Sequence, residues 1–146
     1  MSMTPRLALP LLAAAQAQKE MTHNEALTLA DLAVQAVVQA VGLDAPPSAP
    51  TAGQCWIVGS APTGAWAGQD GAIAGWTAGG WRFVAPFEGM AAWSIAEARI
   101  ARRRPAGWTL GPTLGLPSGG ATVDVEARAA IAAIVGALRS GGLIAP

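Results

Sequence analysis

Proline and glycine break both long uncharged runs of this chain. One run lies between Asp44 and Asp70 and is interrupted by Pro46, Pro47, Pro50 and Pro62. The other lies between Arg104 and Asp124 and is interrupted by Pro105, Pro112 and Pro117. A proline inside a helix removes a hydrogen bond and clashes with the preceding turn, so neither run can cross a membrane as a helix. The middle of the chain has to fold as short extended pieces joined by turns.

That constraint matters because the chain is greasy. Of its 146 residues, 52% are hydrophobic and 12% are charged, against about a quarter charged in an ordinary soluble domain. With membrane insertion set aside, the apolar excess predicts burial against other chains. The length allows one modest core and not two. Nine basic and nine acidic residues cancel, which gives no drive toward nucleic acid or anionic lipid. Cys55 is the single cysteine, so no intrachain disulfide can form and cytoplasmic synthesis is expected. Arg6 and the apolar residues 7–15, ending in Ala15-Gln16-Ala17, imitate a secretory signal. Pro10 and the single basic residue argue against cleavage, and no cleaved signal peptide is expected.

The pattern predicts an α+β chain in three units: an N-terminal arm and helix over 1–45, a small Trp-rich antiparallel β-domain over 46–112, and a Gly/Pro linker with a separate helix over 113–146. Pro5 and Pro10 keep the arm extended. The alternation of Leu7, Leu9 and Leu11 suits a strand or an arm lying on a neighbour. Thr22 with Glu25 three residues on has capping-box spacing, so a helix is predicted to start there. Leu27, Ala30, Val34, Val37 and Val41 then form its apolar stripe, with Gly42 and Pro46-Pro47 ending it. The stripe could face the chain's own β-domain or copies of itself.

Six short strands are predicted from turn-bounded apolar runs, over 54–58, 71–76, 81–85, 90–95, 99–103 and 108–110, arranged as an antiparallel meander, sandwich or barrel. Residues 74–79 (AGWTAG) echo 106–111 (AGWTLG). A second helix is predicted from Asp124, which can cap it, with Glu126 in its first turn and Arg139 in its last. Val125, Ile131, Ile134, Val135 and Leu138 make its apolar face, and Gly141-Gly142 stop it. Leu143 and Ile144 predict a docked C-terminus. So short a helix needs a partner surface, in this chain or another.

Catalytic signatures are sparse. His23 is the sole histidine and has no companion ligands at metal-binding spacing, so no metal or cofactor is expected. No Gly-x-Ser-x-Gly elbow and no phosphate-cradling loop occur. A wall-degrading enzyme would need two carboxylates across a cleft, for which Asp70, Glu88 and Glu97 are the available groups; the chain is expected not to be an enzyme. Six tryptophans and no tyrosine predict an indole-rich core. Stacking on a sugar ring is the alternative, with Trp66 and Trp81 as candidates, since Gly64 and Gly68 flank Trp66 and let a ligand approach. Arg99, Arg102, Arg103 and Arg104 form one basic cluster, either a solvated, edge-protecting strand or a dock for an acidic partner.

Several motifs resemble a known family. They are Thr4-Pro5-Arg6-Leu7 with Leu9-Pro10, residues 16–20 (QAQKE), residues 22–27 (THNEAL) and Asp31-Leu32. Pro46-Pro47, residues 56–59 (WIVG), residues 63–68 (TGAWAG), residues 80–83 (GWRF) and residues 86–89 (PFEG) continue the likeness. It is to a domain family of unknown function found in alphaproteobacterial prophages and gene transfer agents, in spike and tail-fibre proteins, and in particular to a gene transfer agent head spike subunit. The resemblance implies a virion-like particle surface, synthesis in a bacterial cytoplasm, and attachment to host capsular polysaccharide. It transfers no catalytic residue.

The expected function is therefore a non-enzymatic structural subunit, a head spike base or fibre adaptor for assembly and host attachment. Its partners would be itself, as a trimer or pentamer, and capsid or other particle proteins. Assembly contacts are expected at Leu7, Leu9, Leu11, Leu27, Val34, Val41, Ile131, Leu138 and Leu143. The alternative is a carbohydrate-binding module recognising polysaccharide through exposed Trp.

Overall fold

The computed structural model describes residues 2–13 and 19–146. In chain order the elements are α1 (Lys19–Ala33), β1 (Val37–Val38), β2 (Val41–Leu43), β3 (Cys55–Val58), a single 3-10 turn (Gly64–Trp66), β4 (Ile73–Thr77), β5 (Gly80–Val84), β6 (Ala91–Ser94), β7 (Arg99–Arg104), β8 (Gly107–Leu110) and α2 (Val125–Ser140). All six predicted strands are present, and the class is α+β. The signal-like run Ala15-Gln16-Ala17 lies outside the described residues.

Two four-stranded sheets share one plan, β2-β3-β4-β5 and β1-β6-β7-β8. In each, a short lead strand runs parallel to the first of three antiparallel strands: β2 beside β3, and β1 beside β6. The sheets are therefore mixed rather than wholly antiparallel. The lead strands come from residues predicted to continue the first helix. That helix ends at Ala33, and Gln35 turns the chain with a left-handed φ of 47°. Val37, Val38 and Val41 then enter strands, where β-branched side chains suit the pleat. The ribbon 37–43 thus seeds both sheets, and the domain boundary expected at 45 falls after these strands instead of before them. Gly42 lies in β2 at a register shift, with φ of 81°, and is not a helix cap.

The shared plan also reassigns the internal echo. Gly80-Trp81 opens β5 and Gly107-Trp108 opens β8, each after the last turn of its sheet. Residues 74–79, by contrast, are the end of the strand before the turn (74–77) and the turn itself (78–79). Trp81, not Trp76, is the counterpart of Trp108.

The sheets pack face to face. Val38, Cys55, Ile57, Ile73, Met90, Ala92 and Ala101, with Leu32 and Ala36, form the core between them, and Val84, Trp108 and Leu110 line it. The opposite face of the first sheet carries Trp56, Val58 and Ala74, covered by Trp66 from the 3-10 turn. All four residues of β3 are consequently buried, which explains why that strand shows no alternation of polar and apolar residues.

α1 packs on β4 and β5. Cys55, Gly75 and Arg82 lie in register across the inner face. Leu32 lies so close above Gly75 that a Cβ there would come within 2.6 Å of Leu32 Cδ1. Glu25, expected to cap the helix, sits inside it and pairs with Arg82 at 2.8 Å. The helix begins at Lys19, ahead of Thr22.

The arm does not extend toward a neighbour. Met3 bridges Pro10, and Ala8 adopts φ of 53°, closing a loop back onto α1. The fully buried Asp31 carboxylate gathers it. Thr4 Oγ1 donates to Oδ1 at 2.8 Å, Leu7 N–H to Oδ1 at 2.6 Å and Arg6 N–H to Oδ2 at 3.1 Å. The Arg6 guanidinium meanwhile donates to the carbonyls of Asp31, Leu32 (3.3 Å) and Gln35 (2.8 Å). A helix leaves its last carbonyls without partners and carries partial negative charge there, so this cation caps the end of α1. Two sequence motifs, Thr4-Pro5-Arg6-Leu7 and Asp31-Leu32, whose bonded residues are 24 to 27 apart in the chain, are one structural unit.

α2 starts as expected, with Asp124 Oδ1 accepting from Ala127 N–H at 2.8 Å. The C-terminus docks as expected too. Ile100 N–H donates to Gly142 O at 2.8 Å and Ala145 N–H to Pro112 O at 3.0 Å, and Ile144 is buried. Its backbone crosses directly over Gly111, where a Cβ would come 2.9 Å from Ile144 Cα.

Candidate functional site

The indoles form a packed cluster. Trp66 and Trp81 meet edge to face with centroids 5.2 Å apart, Trp56 and Trp81 at 5.6 Å, and Trp76 and Trp81 at 4.9 Å. Such geometry aligns the positive ring edge with the negative face. Trp66 is 0% exposed, and its Nε1–H has no hydrogen-bond partner. Both of its faces are covered by protein, so it cannot serve as a sugar platform; that expectation is corrected. The glycines flanking it, Gly64 and Gly68, have positive φ and serve to fold the loop that inserts the ring. Trp81 remains half-buried at the cluster's rim, beside Trp76 and Phe83.

A groove of about 280 Å³ opens instead where the two sheets meet. Asp70, Gly71 and Ser60 border it from the first sheet, and Arg103, Gly107 and Trp108 from the second. Trp108 Nε1–H donates to Gly71 O at 2.7 Å, tying the two sides together. Neither Asp70 nor Arg103 forms a salt bridge among the described residues. The groove is not legible in the sequence, because Trp108 and Asp70 are 38 residues apart and only the packing of the two sheets brings them together.

The remaining chemistry-bearing groups stay apart. Asp70 lines the groove and Glu88 does not, so this pair does not flank one cleft. Glu97 accepts a hydrogen bond from Ser94. His23 is exposed, its Nδ1 3.0 Å from Lys19 O. Among the described residues, no group of three or more His, Cys, Asp or Glu could hold a metal ion, and no helix is long and apolar enough to cross a membrane. Burial pushes the Cys55 thiol up to about 11, against a smaller lowering by Arg6. A thiol is a poor nucleophile when protonated.

Residues 23–109, running from α1 into β8, match a family described as a protein of unknown function (DUF2793). That is more than half of the chain. The chain belongs to the DUF2793 family. No curated protein matches it. The DUF2793 region contains both sheets, the indole cluster and the groove. The N-terminal arm and α2 lie outside it.

α2 and its approach carry the molecule's largest concentration of uncovered apolar side chains. Of fifteen exposed large hydrophobics among the described residues, seven fall in the last 34 residues: Leu114, Leu116, Val123, Val125, Ile131, Ile134 and Leu143. The predicted apolar face of α2 divides in two. Val135 is buried against the chain, whereas Ile131 and Ile134 are 42% and 59% exposed. Leu138 is half-buried. Among the other assembly candidates, Leu7 and Val34 are exposed and Leu9, Leu11 and Leu27 are half-buried. Val41 packs against the core between the sheets and is withdrawn as an assembly contact. The arginine strand is β7, an interior strand, so edge protection is corrected as well. Arg99 donates to Gly111 O at 2.6 Å, while Arg102 and Arg104 are exposed.

Proposed function

We propose that this DUF2793 protein is a non-enzymatic structural subunit of a phage-like particle, a head spike base or fibre adaptor, which assembles through its C-terminal segment. The observation that carries this reading is the apolar surface of residues 113–146. Seven large aliphatic side chains are exposed there, and clustered exposed apolar side chains mark protein contact surfaces. The sequence likeness to spike and fibre proteins supports the same reading. The test is composition: tagged chain should co-purify with particles released by the source bacterium and decorate them in immunogold micrographs. Its absence from purified particles would overturn the proposal.

Carbohydrate recognition is a second reading, now favoured by the groove rather than by Trp66. The half-exposed Trp108 ring, the Asp70 carboxylate and the Ser60 hydroxyl offer a stacking face and hydrogen-bonding groups within a space that suits one sugar ring. Titration with capsule fragments should give binding that Trp108→Ala and Asp70→Asn weaken and Trp66→Phe does not. Equal binding by all three variants would remove it.

A further inference from the structure

We propose that the outer face of the second sheet binds a small phosphate monoester, with its phosphate held between Arg102 and Arg104. The site is separate from both the C-terminal apolar surface and the groove at Trp108. Eight of the nine cations in the chain are arginines. Five of them, Arg6, Arg82, Arg99, Arg128 and Arg139, donate from the guanidinium to carbonyls or a carboxylate of the chain. The other three are Arg102, Arg103 and Arg104 in β7. Their side chains have no hydrogen-bond or salt-bridge partner among the described residues.

Strand alternation divides these three between two faces. Ala101 is buried between the sheets and Arg103 lines the inter-sheet groove, so Ile100, Arg102 and Arg104 project from the opposite face. Arg102 and Arg104 stand about 7 Å apart along the strand. Both are exposed, and both line a second groove of about 250 Å³. Its two ends differ in chemistry. One end holds the two guanidiniums and the Thr109 hydroxyl, which is opposite Arg102 in the β7–β8 register. At the other end Ile100 N–H donates to Gly142 O at 2.8 Å, which brings Leu143 beside Ile100, and Pro112 lines the same wall.

That combination sets the ligand class. Two neighbouring guanidiniums repel until an anion lies between them. Each presents a planar fork of N–H donors suited to bidentate contact with a carboxylate or a phosphate. A phosphate monoester carries a charge of about −1.5 to −2 near pH 7 and has acceptor oxygens enough for both forks. A single carboxylate satisfies one fork and leaves the other cation uncompensated. The space suits a small molecule rather than a protein segment, and the apolar end at Ile100 and Leu143 suits a short hydrocarbon ester group.

The test is titration of the full chain at constant ionic strength with inorganic phosphate, butyl phosphate and pentanoate, the carboxylate with the same hydrocarbon chain. The arginine Nε–H resonances report binding. Butyl phosphate should bind saturably, shift the Arg102 and Arg104 signals and leave those of Arg82 and Arg139 in place. It should bind tighter than inorganic phosphate, by up to about fourfold for each methylene that reaches Ile100 and Leu143. Pentanoate should bind about tenfold or more weakly, because it loses the contacts to one charged fork. Arg102→Gln and Arg104→Gln should each weaken butyl phosphate by about tenfold or more, with the near-ultraviolet dichroism of the indole cluster confirming an intact fold. Arg103→Gln makes the same charge change on the opposite face and should leave binding unchanged. Equal weakening by Arg103→Gln would show a nonspecific charge effect and overturn the site. So would pentanoate or inorganic phosphate binding as tightly as butyl phosphate, or a wild-type titration without saturable binding.

Discussion

Gly75→Ala tests whether the contact between α1 and the first sheet is as tight as the geometry states. Gly75 faces the inner core from β4, opposite Cys55 and Arg82. An added Cβ would lie 2.6 Å from Leu32 Cδ1 and 3.0 Å from Cγ, where ordinary carbon contacts are about 3.5–4.0 Å. Leu32 would have to retreat by about 1 Å, and it is fully buried, with the inter-sheet core around it. Overpacking of this kind costs about 1–3 kcal/mol. Replacing a strand glycine by alanine returns about 0.5–1 kcal/mol through lower unfolded-state entropy, so a net loss of about 1–2 kcal/mol is expected. Leu32→Ala alone should cost about 2–5 kcal/mol by leaving a cavity. In the double variant the new methyl enters the space that Leu32 vacates, so the combined loss should fall short of the sum by about 1 kcal/mol or more. The assay is urea unfolding followed by tryptophan fluorescence at one fixed protein concentration. Additivity within about 0.5 kcal/mol would mean that the two sites do not touch, and the packing argument would fail.

Three further outcomes are expected. Asp31→Asn should destabilise by about 1–3 kcal/mol, because its NH2 must take the place of one carboxylate oxygen and face either the Arg6 N–H or the Thr4 hydroxyl and Leu7 N–H that now donate there; limited proteolysis should then cut within residues 2–13, and an arm that stays protected would contradict the hub. Cys55, neutral in the fold and raised to about 11 from 9.0, contributes stability that is complete below pH 9 and is lost as the pH rises through about 11, a fall of roughly 2–3 kcal/mol; Cys55→Ala should lose less over that window, and parallel curves would refute the assignment. Trp66→Ala should cost about 3–5 kcal/mol and quench the near-ultraviolet dichroism of the cluster, whereas a stable variant with unchanged dichroism would show that the ring is not in the core.

The turn-rich middle of the chain made the strands legible. Proline and glycine act on the backbone where they stand, so β3 to β8 could be placed to within a residue or two. The Asp124 cap and the Gly141-Gly142 stop are equally local, and α2 was read correctly for that reason. Val37 and Val41 were misread because their spacing fits a helix as well as a strand, and only the sheet edges beside β6 and β3 decide between the two. Trp66 shows the same limit. Its flanking glycines announce an unusual loop, yet whether that loop offers the ring to solvent or folds it inward depends on the apolar face of Trp56, Val58 and Trp81 beneath it.

Residue order alone determined the α+β class, the strands, the second helix and the breaking of both long uncharged runs by proline and glycine, because each follows from backbone preferences acting over a few residues. Tertiary structure alone decided that the arm returns to Asp31, that ribbon 37–43 leads both sheets, that Trp66 is buried and Trp108 lines a groove, and that α2 turns Val135 inward and Ile131 and Ile134 outward. Those outcomes depend on which surfaces meet after the chain closes, and a local pattern of polar and apolar residues records that a face is apolar without recording what covers it.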